Sequence, residues 1–363
     1  MAKNKTFRAG LCVFLSVVLL IVGTVGGAYF GLLRITQQSD PLPAGDLEIH
    51  FLELGTVKTG DCTYIKAGDN DILIDAGAEV ASIPTISAYL DNYVTDGTLE
   101  YVIVTHAHED HYAGFATGEN TDSLFDLYEC EVIIDFALAN KAETERMYAN
   151  YLRERADEIA NGATHYTARD CIEQGKRIFD LGGGIELEIL DSYFYYHKEA
   201  DTENDYSVCC MINQGDHHYL FTGDLEKEGE EYLVAYNDLP EVDVYKAGHH
   251  GSKTSSNEVL LEVIKPDIVC VCCCAGSEEY RAKPENRFPT QAFVDRIAPY
   301  TERVYVTTLC LDYAAGEFTS MNGNIVIKCK RQGLEVVCSH SQLILKDTDW
   351  FRDNRDTPEA WVG

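Results

Sequence analysis

Positive charge is scarce in this sequence: 29 Lys and Arg stand against 60 Asp and Glu among 363 residues, a formal net charge of −31. That excludes a protein holding nucleic acid non-specifically over its whole surface, because phosphate binding relies on clustered cations that release counterions. A local basic groove remains open. Proline is also rare, at nine residues, whereas 45% of the chain is hydrophobic and 10% aromatic. A disordered chain of this charge would carry far less apolar content. The chain is therefore globular, and its length allows one large domain or two ordinary ones. No short-period repeat and no two CxxC pairs at zinc-ribbon spacing are present. The 13 cysteines are odd in number and do not form a disulfide framework pattern. Cys209, Cys210, Cys270, Cys272, Cys273 and Cys274 fall in β-branched, strand-like segments, where cysteine serves as a small buried hydrophobe, as expected of packing thiols in a reducing or anaerobic setting. What is abundant, acidic charge, favours solubility and attracts cations, and suits a metal-dependent enzyme.

Leu11 to Leu33 contains no charged residue, and these 23 residues exceed the roughly 20 that cross a bilayer as a helix. Lys3, Lys5 and Arg8 precede the stretch, and Asp40, Asp46 and Glu48 follow it. The positive-inside rule then places residues 1–10 in the cytoplasm and the rest outside the cell. A signal peptide has a shorter apolar core, usually about 7–15 residues, with small residues at its cleavage site. Here Tyr29, Phe30, Leu32 and Leu33 close the run, so a retained single-pass anchor over 11–33 is expected, followed by a linker over 34–46 with Pro41 and Pro43.

From Leu47 the pattern becomes that of a folded domain, expected over 47–340. Leu47–Leu54 alternates as a strand, and Thr63–Lys66 and Asp71–Ile74 form a hairpin about Gly68-Asp69-Asn70. Ser82–Tyr93 has helical spacing, Tyr101–Thr105 and Glu131–Phe136 are short strands, and Ala142–Ala160 is an amphipathic helix. The second half follows the same plan. Strands are expected at Glu186–Leu190, Ser207–Asn213, His218–Thr222, Val242–Lys246, Ile268–Cys273 and Arg303–Thr307, helices at Glu258–Ile264 and Pro289–Ile297, and a closing hairpin at Gly323–Lys328 with Leu334–Cys338. Two mixed sheets packed together with helices outside fit this order. Residues 341–363, with Trp350, Phe351 and Trp361, form a tail that pattern alone does not place.

The richest chemistry lies in Thr105-His106-Ala107-His108-Glu109-Asp110-His111. Three imidazoles and a carboxylate fall within six residues at the end of a buried strand, and these are the ligands that Zn²⁺ and other first-row divalent ions take. Desolvating four such side chains together is costly unless something pairs them. A carboxylate from another strand end is available in Gly223-Asp224, after Tyr219–Thr222. Alone, that pair reads as a turn. Lys246-Ala-Gly-His249-His250-Gly251-Ser252 ends a third strand with adjacent histidines and a glycine that permits close backbone approach. The three together point to a two-metal site. Asn204 and Ser207 read equally as a capping turn or as a loop that orders the site. His50, His217, His218 and His340 read as surface or strand positions, and Tyr193, Tyr195 and Tyr196 as a pocket wall or core packing.

This order of motifs, with Asp75-Ala76-Gly77, Asn204-Asp205-Tyr206-Ser207 and Gly248-His249-His250-Gly251-Ser252-Lys253-Thr254-Ser255, resembles the metallo-β-lactamase fold hydrolases. Within them it resembles the hydrolase domain of ComEC-type DNA-uptake proteins and the phosphorylcholine esterases of choline-binding proteins. The resemblance covers roughly Leu47 to Ser339. It implies an α/β fold, a four-layer αββα sandwich, here behind an N-terminal transmembrane helix. It also implies two divalent ions, Zn²⁺ first and Mn²⁺ as the alternative. His106, His108 and Asp224 would hold one ion, and Asp110, His111, Asp224 and one of His249 and His250 the other. His250 is the preferred ligand, leaving His249 to face substrate as a catalytic group beside Asp110, with Ser252 nearby. Asp75 would accept a hydrogen bond from a ligand histidine and fix its tautomer. Three departures bear on substrate. The extra histidine of β-lactamases and glyoxalases has no counterpart, since His165 and His197 lack its flanking pattern. Gly60-Asp61-Cys62 stands where a Gly-Asp-Ser-like turn is usual, and Phe288-Pro289 where a His-Pro pair is common. The expectation is a membrane-anchored, metal-dependent phosphodiesterase acting on a small molecule or surface polymer. A nuclease acting on DNA at the cell surface, disfavoured by the charge, and a non-catalytic surface binding protein are the alternatives.

Overall fold

The computed structural model describes residues 46–118, 121–279, 283–330 and 333–362. The expected anchor over 11–33 lies outside them, and no helix among the described residues is long and apolar enough to cross a membrane. Among the described residues sixteen strands run in chain order: β1 Leu47–Phe51, β2 Thr63–Ala67, β3 Asn70–Ile74, β4 Thr98–Val104, β5 Glu129–Asp135, β6 Thr164–Thr167, β7 Ile178–Gly182, β8 Ile185–Ile189, β9 Cys210–Gln214, β10 His217–Phe221, β11 Val244–Lys246, β12 Ile268–Ala275, β13 Val304–Asp312, β14 Glu317–Ser320, β15 Ile325–Lys330 and β16 Gly333–Cys338. They form two eight-stranded sheets, ordered β16-β15-β1-β2-β3-β4-β5-β6 and β14-β13-β12-β11-β10-β9-β8-β7.

Each sheet is mixed in the same way. Neighbours from β3 to β6 in the first sheet, and from β10 to β13 in the second, run parallel, and the flanking pairs are antiparallel. Parallel strands buried on both faces read as continuous apolar runs, and β12, IVCVCCCA, is buried throughout. The period of two divides it: Ile268, Cys270 and Cys272 pack between the sheets, whereas Val269, Val271, Cys273 and Ala275 pack against the helices outside. The cysteine run is thus core on both faces, and the 12 described cysteines are all free thiols.

Helices at Ile83–Leu90 and Arg146–Asn161 pack on the first core through Ile83, Ile86, Leu90, Tyr148 and Tyr151. Those at Lys227–Tyr236, Glu258–Ile264 and Gln291–Ile297 pack on the second through Leu233, Leu260, Leu261, Phe293 and Ile297. The arrangement agrees with an α/β sandwich of two sheets between helices. Residues 341–362, expected as part of a C-terminal tail, pack onto the domain. Leu345, Phe351 and Trp361 are buried in the second core, and Trp361 Nε1 donates to the Thr301 carbonyl at 3.0 Å.

Candidate metal centre

Parallel strands that share a direction deliver their C-terminal ends to one edge, and the segments after β3, β4, β10 and β11 carry Asp75, residues 105–111, Asp224 and residues 249–250. Metal-facing atoms of Asp110, His111, Asp224 and His250 all lie within 4.8 Å of one another. His250 Nε2 is 3.3 Å from Asp110 Oδ2 and 3.3 Å from Asp224 Oδ2, and His111 Nε2 is 3.2 Å from Asp224 Oδ2. His106 and His108 flank the quartet and face each other, Nε2 to Nδ1, at 2.9 Å. His249 stands farther out, with Nε2 3.9 Å from Asp224 Oδ2. Of the adjacent histidines, His250 therefore joins the quartet and is fully buried, while His249 is partly exposed.

The backbone is shaped for this convergence. His249 and His250 both adopt left-handed φ, 44° and 54°, a conformation costing about 1–3 kcal/mol for residues with a Cβ and found mainly where function requires it. Gly223 has φ 54°, and a Cβ there would lie 2.7 Å from Ser207 Oγ and 2.9 Å from Thr105 Cβ. Only glycine brings Asp224 this close to the histidine loop.

The outward-facing nitrogens of the histidines are held by neighbours. His111 Nδ1 donates to Asp75 Oδ2 at 2.7 Å, and Asp75 also accepts from Thr105 N and Oγ1, each at 2.8 Å. His250 Nδ1 donates to the Cys272 carbonyl at 2.9 Å. Both rings are thereby held with Nε2 turned inward, the tautomer a metal ligand needs. Ser207 Oγ accepts from Asp224 N at 3.1 Å and lies 3.4 Å from His106 Nδ1. Asn204 Nδ2 donates to Glu226 Oε1 at 2.9 Å and lies 3.3 Å from His249 Nδ1. Ser252 bonds its own loop through Thr254, its Oγ 3.0 Å from Thr254 Oγ1. With His249, Lys253, Phe288 and Thr290 it lines a cavity of about 180 Å³ beside the centre.

The electrostatics favour a cation. Burial would raise the Asp110 and Asp224 carboxyls, but hydrogen bonds and charge from His111 and His250 hold both below the usual carboxylate range. Burial would lower His111 and His250, yet Asp224, with Asp75 or Asp61, carries both above the usual imidazole value. His106 and His108 go the other way, depressed chiefly by burial, and so stay neutral. Asp224 Oδ1 is buried without a hydrogen bond, and His111 Nε2 is buried facing only the Asp224 carboxylate. Two close carboxylates, inward-facing imidazole nitrogens and the unsatisfied Asp224 oxygen fit divalent metal, whose binding would displace protons from the histidines.

Three neighbours of the centre were not singled out as site residues from the sequence. Asp61 is buried with Oδ1 3.1 Å from His250 Nδ1, and the buried Lys246 ammonium pairs with its carboxylate. Glu226 Oε1 lies 3.3 Å from His249 Nδ1. A lysine ending the apolar strand Val244–Lys246, buried at every position, was the available signal for the first pair. His165 lies away from the centre, bonded through Nε2 to Asp135 at 2.8 Å, and His50 is buried in β1 against Tyr89.

Sandwiched mixed sheets with this centre at their strand ends define a class, and the profile of the metallo-beta-lactamase superfamily matches residues 55–120 and 172–275. The chain carries a domain of that superfamily, whose members are typically metal-dependent hydrolases. Its relatives include Recombination protein 2 of Haemophilus influenzae, 27% identical over 96% of this chain and 35% of that protein. ComE operon protein 3 of Bacillus subtilis is 27% identical over 46% of this chain and 19% of its own length. The chain thus spans about a third or less of the length of these relatives. Among solved structures, the metallo-beta-lactamase fold protein YhfI from Bacillus subtilis is 12% identical with TM-score 0.40, over 76% of this chain and 99% of that one.

Proposed function

We propose that this domain hydrolyses phosphodiester bonds with two divalent ions, Zn²⁺ or Mn²⁺, held by His106, His108, Asp110, His111, Asp224 and His250. The observation that carries the reading is the convergence of Asp110, His111, Asp224 and His250 within 4.8 Å. Ions bound there supply Lewis acidity toward a phosphoryl oxygen and activate water. The protein's part is to aim the ligands through Asp75, Ser207 and the strained histidine loop, and to offer His249 on the exposed side to a phosphoryl oxygen or leaving group. Asn204 and Glu226 hold His249 from behind. The uncharged stretch at 11–33 supports a single-pass anchor with the catalytic domain outside the cell. Asp224→Ala and His108→Ala are each expected to abolish turnover of a bis(aryl) phosphodiester while the circular dichroism spectrum is kept. Turnover retained in both variants would refute the assignment.

The names of the relatives favour a second reading, DNA as the polymer whose phosphodiesters are cut. The formal charge of −31 opposes it. Single-stranded DNA with Mn²⁺, assayed beside choline phosphate esters over a range of salt, separates the two: DNA cleavage that falls steeply with salt supports the nuclease.

A further inference from the structure

The centre contains one more carboxylate than its metal ligands require, and a cation buried with it. Asp61 and Lys246 are both buried. The Lys246 ammonium pairs with Asp61 Oδ2, donates to the Gly223 carbonyl at 3.2 Å, and lies 3.7 Å from Asp224 Oδ1. Asp61 in turn lies 3.1 Å from His250 Nδ1 and 3.8 Å from His111 Nδ1. Its backbone continues the links: Asp61 N donates to the Asp110 carbonyl at 3.1 Å, and its own carbonyl accepts from Gly77 N at 2.6 Å. The preceding Gly60 permits this approach, since a Cβ there would lie 2.6 Å from the Ala78 backbone. One ion pair thus touches the segments that carry Asp110, Asp224 and His250, and the ring of His250 itself.

Stability does not account for the pair. Two charges taken out of water lose hydration that their attraction only partly restores, and apolar residues of similar volume often serve folding as well or better. Geometry accounts for it. Lys246 ties the Gly223 carbonyl, one residue before Asp224, to the strand that leads into His249 and His250. Asp61 adds negative charge behind His250 Nδ1, strengthening the donor direction set by the Cys272 carbonyl and raising the basicity of Nε2. Lys246 also stands as the fixed cation of Asp61, whose carboxylate lies within 4.8 Å of ligand atoms of Asp75 and His111.

We propose that Asp61 and Lys246 are positioning residues, an internal ion pair that aligns Asp224 and His250 to receive the metal. The proposal rests on reading the quartet as a metal centre. Its test reads binding rather than turnover, in the full-length protein stripped with a chelator. Lys246→Met/Asp61→Asn removes both charges together and leaves no uncompensated ion. The expected result is a stripped protein with near wild-type melting temperature, Co²⁺ affinity lowered about 10–100-fold, and altered Co²⁺ absorption bands at saturation. Wild-type affinity and bands in the folded variant would overturn the proposal. Should that variant not fold, Lys246→Gln/Asp61→Asn, which keeps an amide hydrogen bond in place of the ion pair, is read in the same way. Failure of both to fold would make the pair a folding determinant and equally overturn positioning. Wild-type protein that takes up no metal would refute the metal centre itself, a separate outcome.

Discussion

Asp75→Asn measures how far the centre depends on a carboxylate that faces away from the metal. Asp75 follows β3 with φ 60°, a left-handed conformation that asparagine adopts as readily as aspartate, so the backbone is preserved. The hydrogen bonding is not. The carboxylate accepts three bonds: Thr105 N at Oδ1, and Thr105 Oγ1 and His111 Nδ1 at Oδ2, at 2.8, 2.8 and 2.7 Å. An amide has a single acceptor oxygen, and its nitrogen only donates. If the oxygen keeps Thr105 N, the amide nitrogen faces His111 Nδ1, and the ring must carry its proton on Nε2. That is the nitrogen aimed at Asp224, and it then has no lone pair for a metal. If the oxygen turns to His111 instead, Thr105 N is left buried without a partner, at about 1–3 kcal/mol. A lost orienting carboxylate typically lowers metal affinity about 10–100-fold, or about 1.4–2.7 kcal/mol. Chelator competition on stripped protein reads the affinity, and urea unfolding of the same sample reads stability. A folded Asp75→Asn protein with wild-type affinity would refute the argument that Asp75 sets the His111 tautomer.

Trp361→Ala is expected to destabilise the domain by about 3–5 kcal/mol with metal affinity unchanged, because Trp361 is 5% exposed and its ring packs 5.7 Å from Phe351; a urea midpoint equal to wild type would remove residues 341–362 from the core. Glu230 supplies a pH dependence. It is buried and accepts from Ser256 N, Asn257 N and Asn257 Nδ2, and burial raises its carboxyl from 4.5 to about 7. Below pH 4.5 both folded and unfolded forms hold the proton; as pH rises toward 7 the unfolded chain ionises first, so stability falls, by about 3 kcal/mol once the folded carboxyl has also ionised. Urea unfolding at pH 5 and pH 8 should show the wild type losing about 2–3 kcal/mol more than Glu230→Gln, in which the Asp205 and Glu279 carboxyls, also raised by burial, still contribute, and equal losses in the two proteins would refute it.

Legibility of the fold followed burial. The interior strands β4, β5, β8, β9, β10, β12 and β13 repeat apolar residues at strand period, and the positions expected from the sequence lie at or near the observed ones. The strands that escaped are β6, β7 and β14, each at the edge of a sheet. Their residues are mostly half-exposed or exposed, with patterns eiii, eieBe and eiii. The edge strand β16 is legible because Leu334, Val336 and Cys338 pack on the core, whereas these three are held by hydrogen bonds along one side and carry no apolar run, so composition shows little trace of them. The same holds for the C-terminal segment. Phe351 and Trp361 enter the core singly from a short helix and a single turn, and neither makes a periodic pattern.

In the site, the difference lies between residues that are unusual where they stand and residues that become unusual only through what they meet. Histidines at 106, 108, 111, 249 and 250 crowd strand ends, and any reading of the sequence stops at them. Asp61 and Lys246 are each ordinary: an aspartate after a glycine, and a lysine after Val-Tyr. Their meaning arises from 185 positions of separation closed by the packing of two sheets. The fold brings a buried ammonium into contact with an added carboxylate, among side chains from several strand ends. In a chain so poor in cations, a lysine withdrawn completely from solvent is spent on the interior, where neither solubility nor surface steering can use it. That placement ties Lys246 to the geometry of the centre and leaves the surface excess of negative charge to the solvated faces.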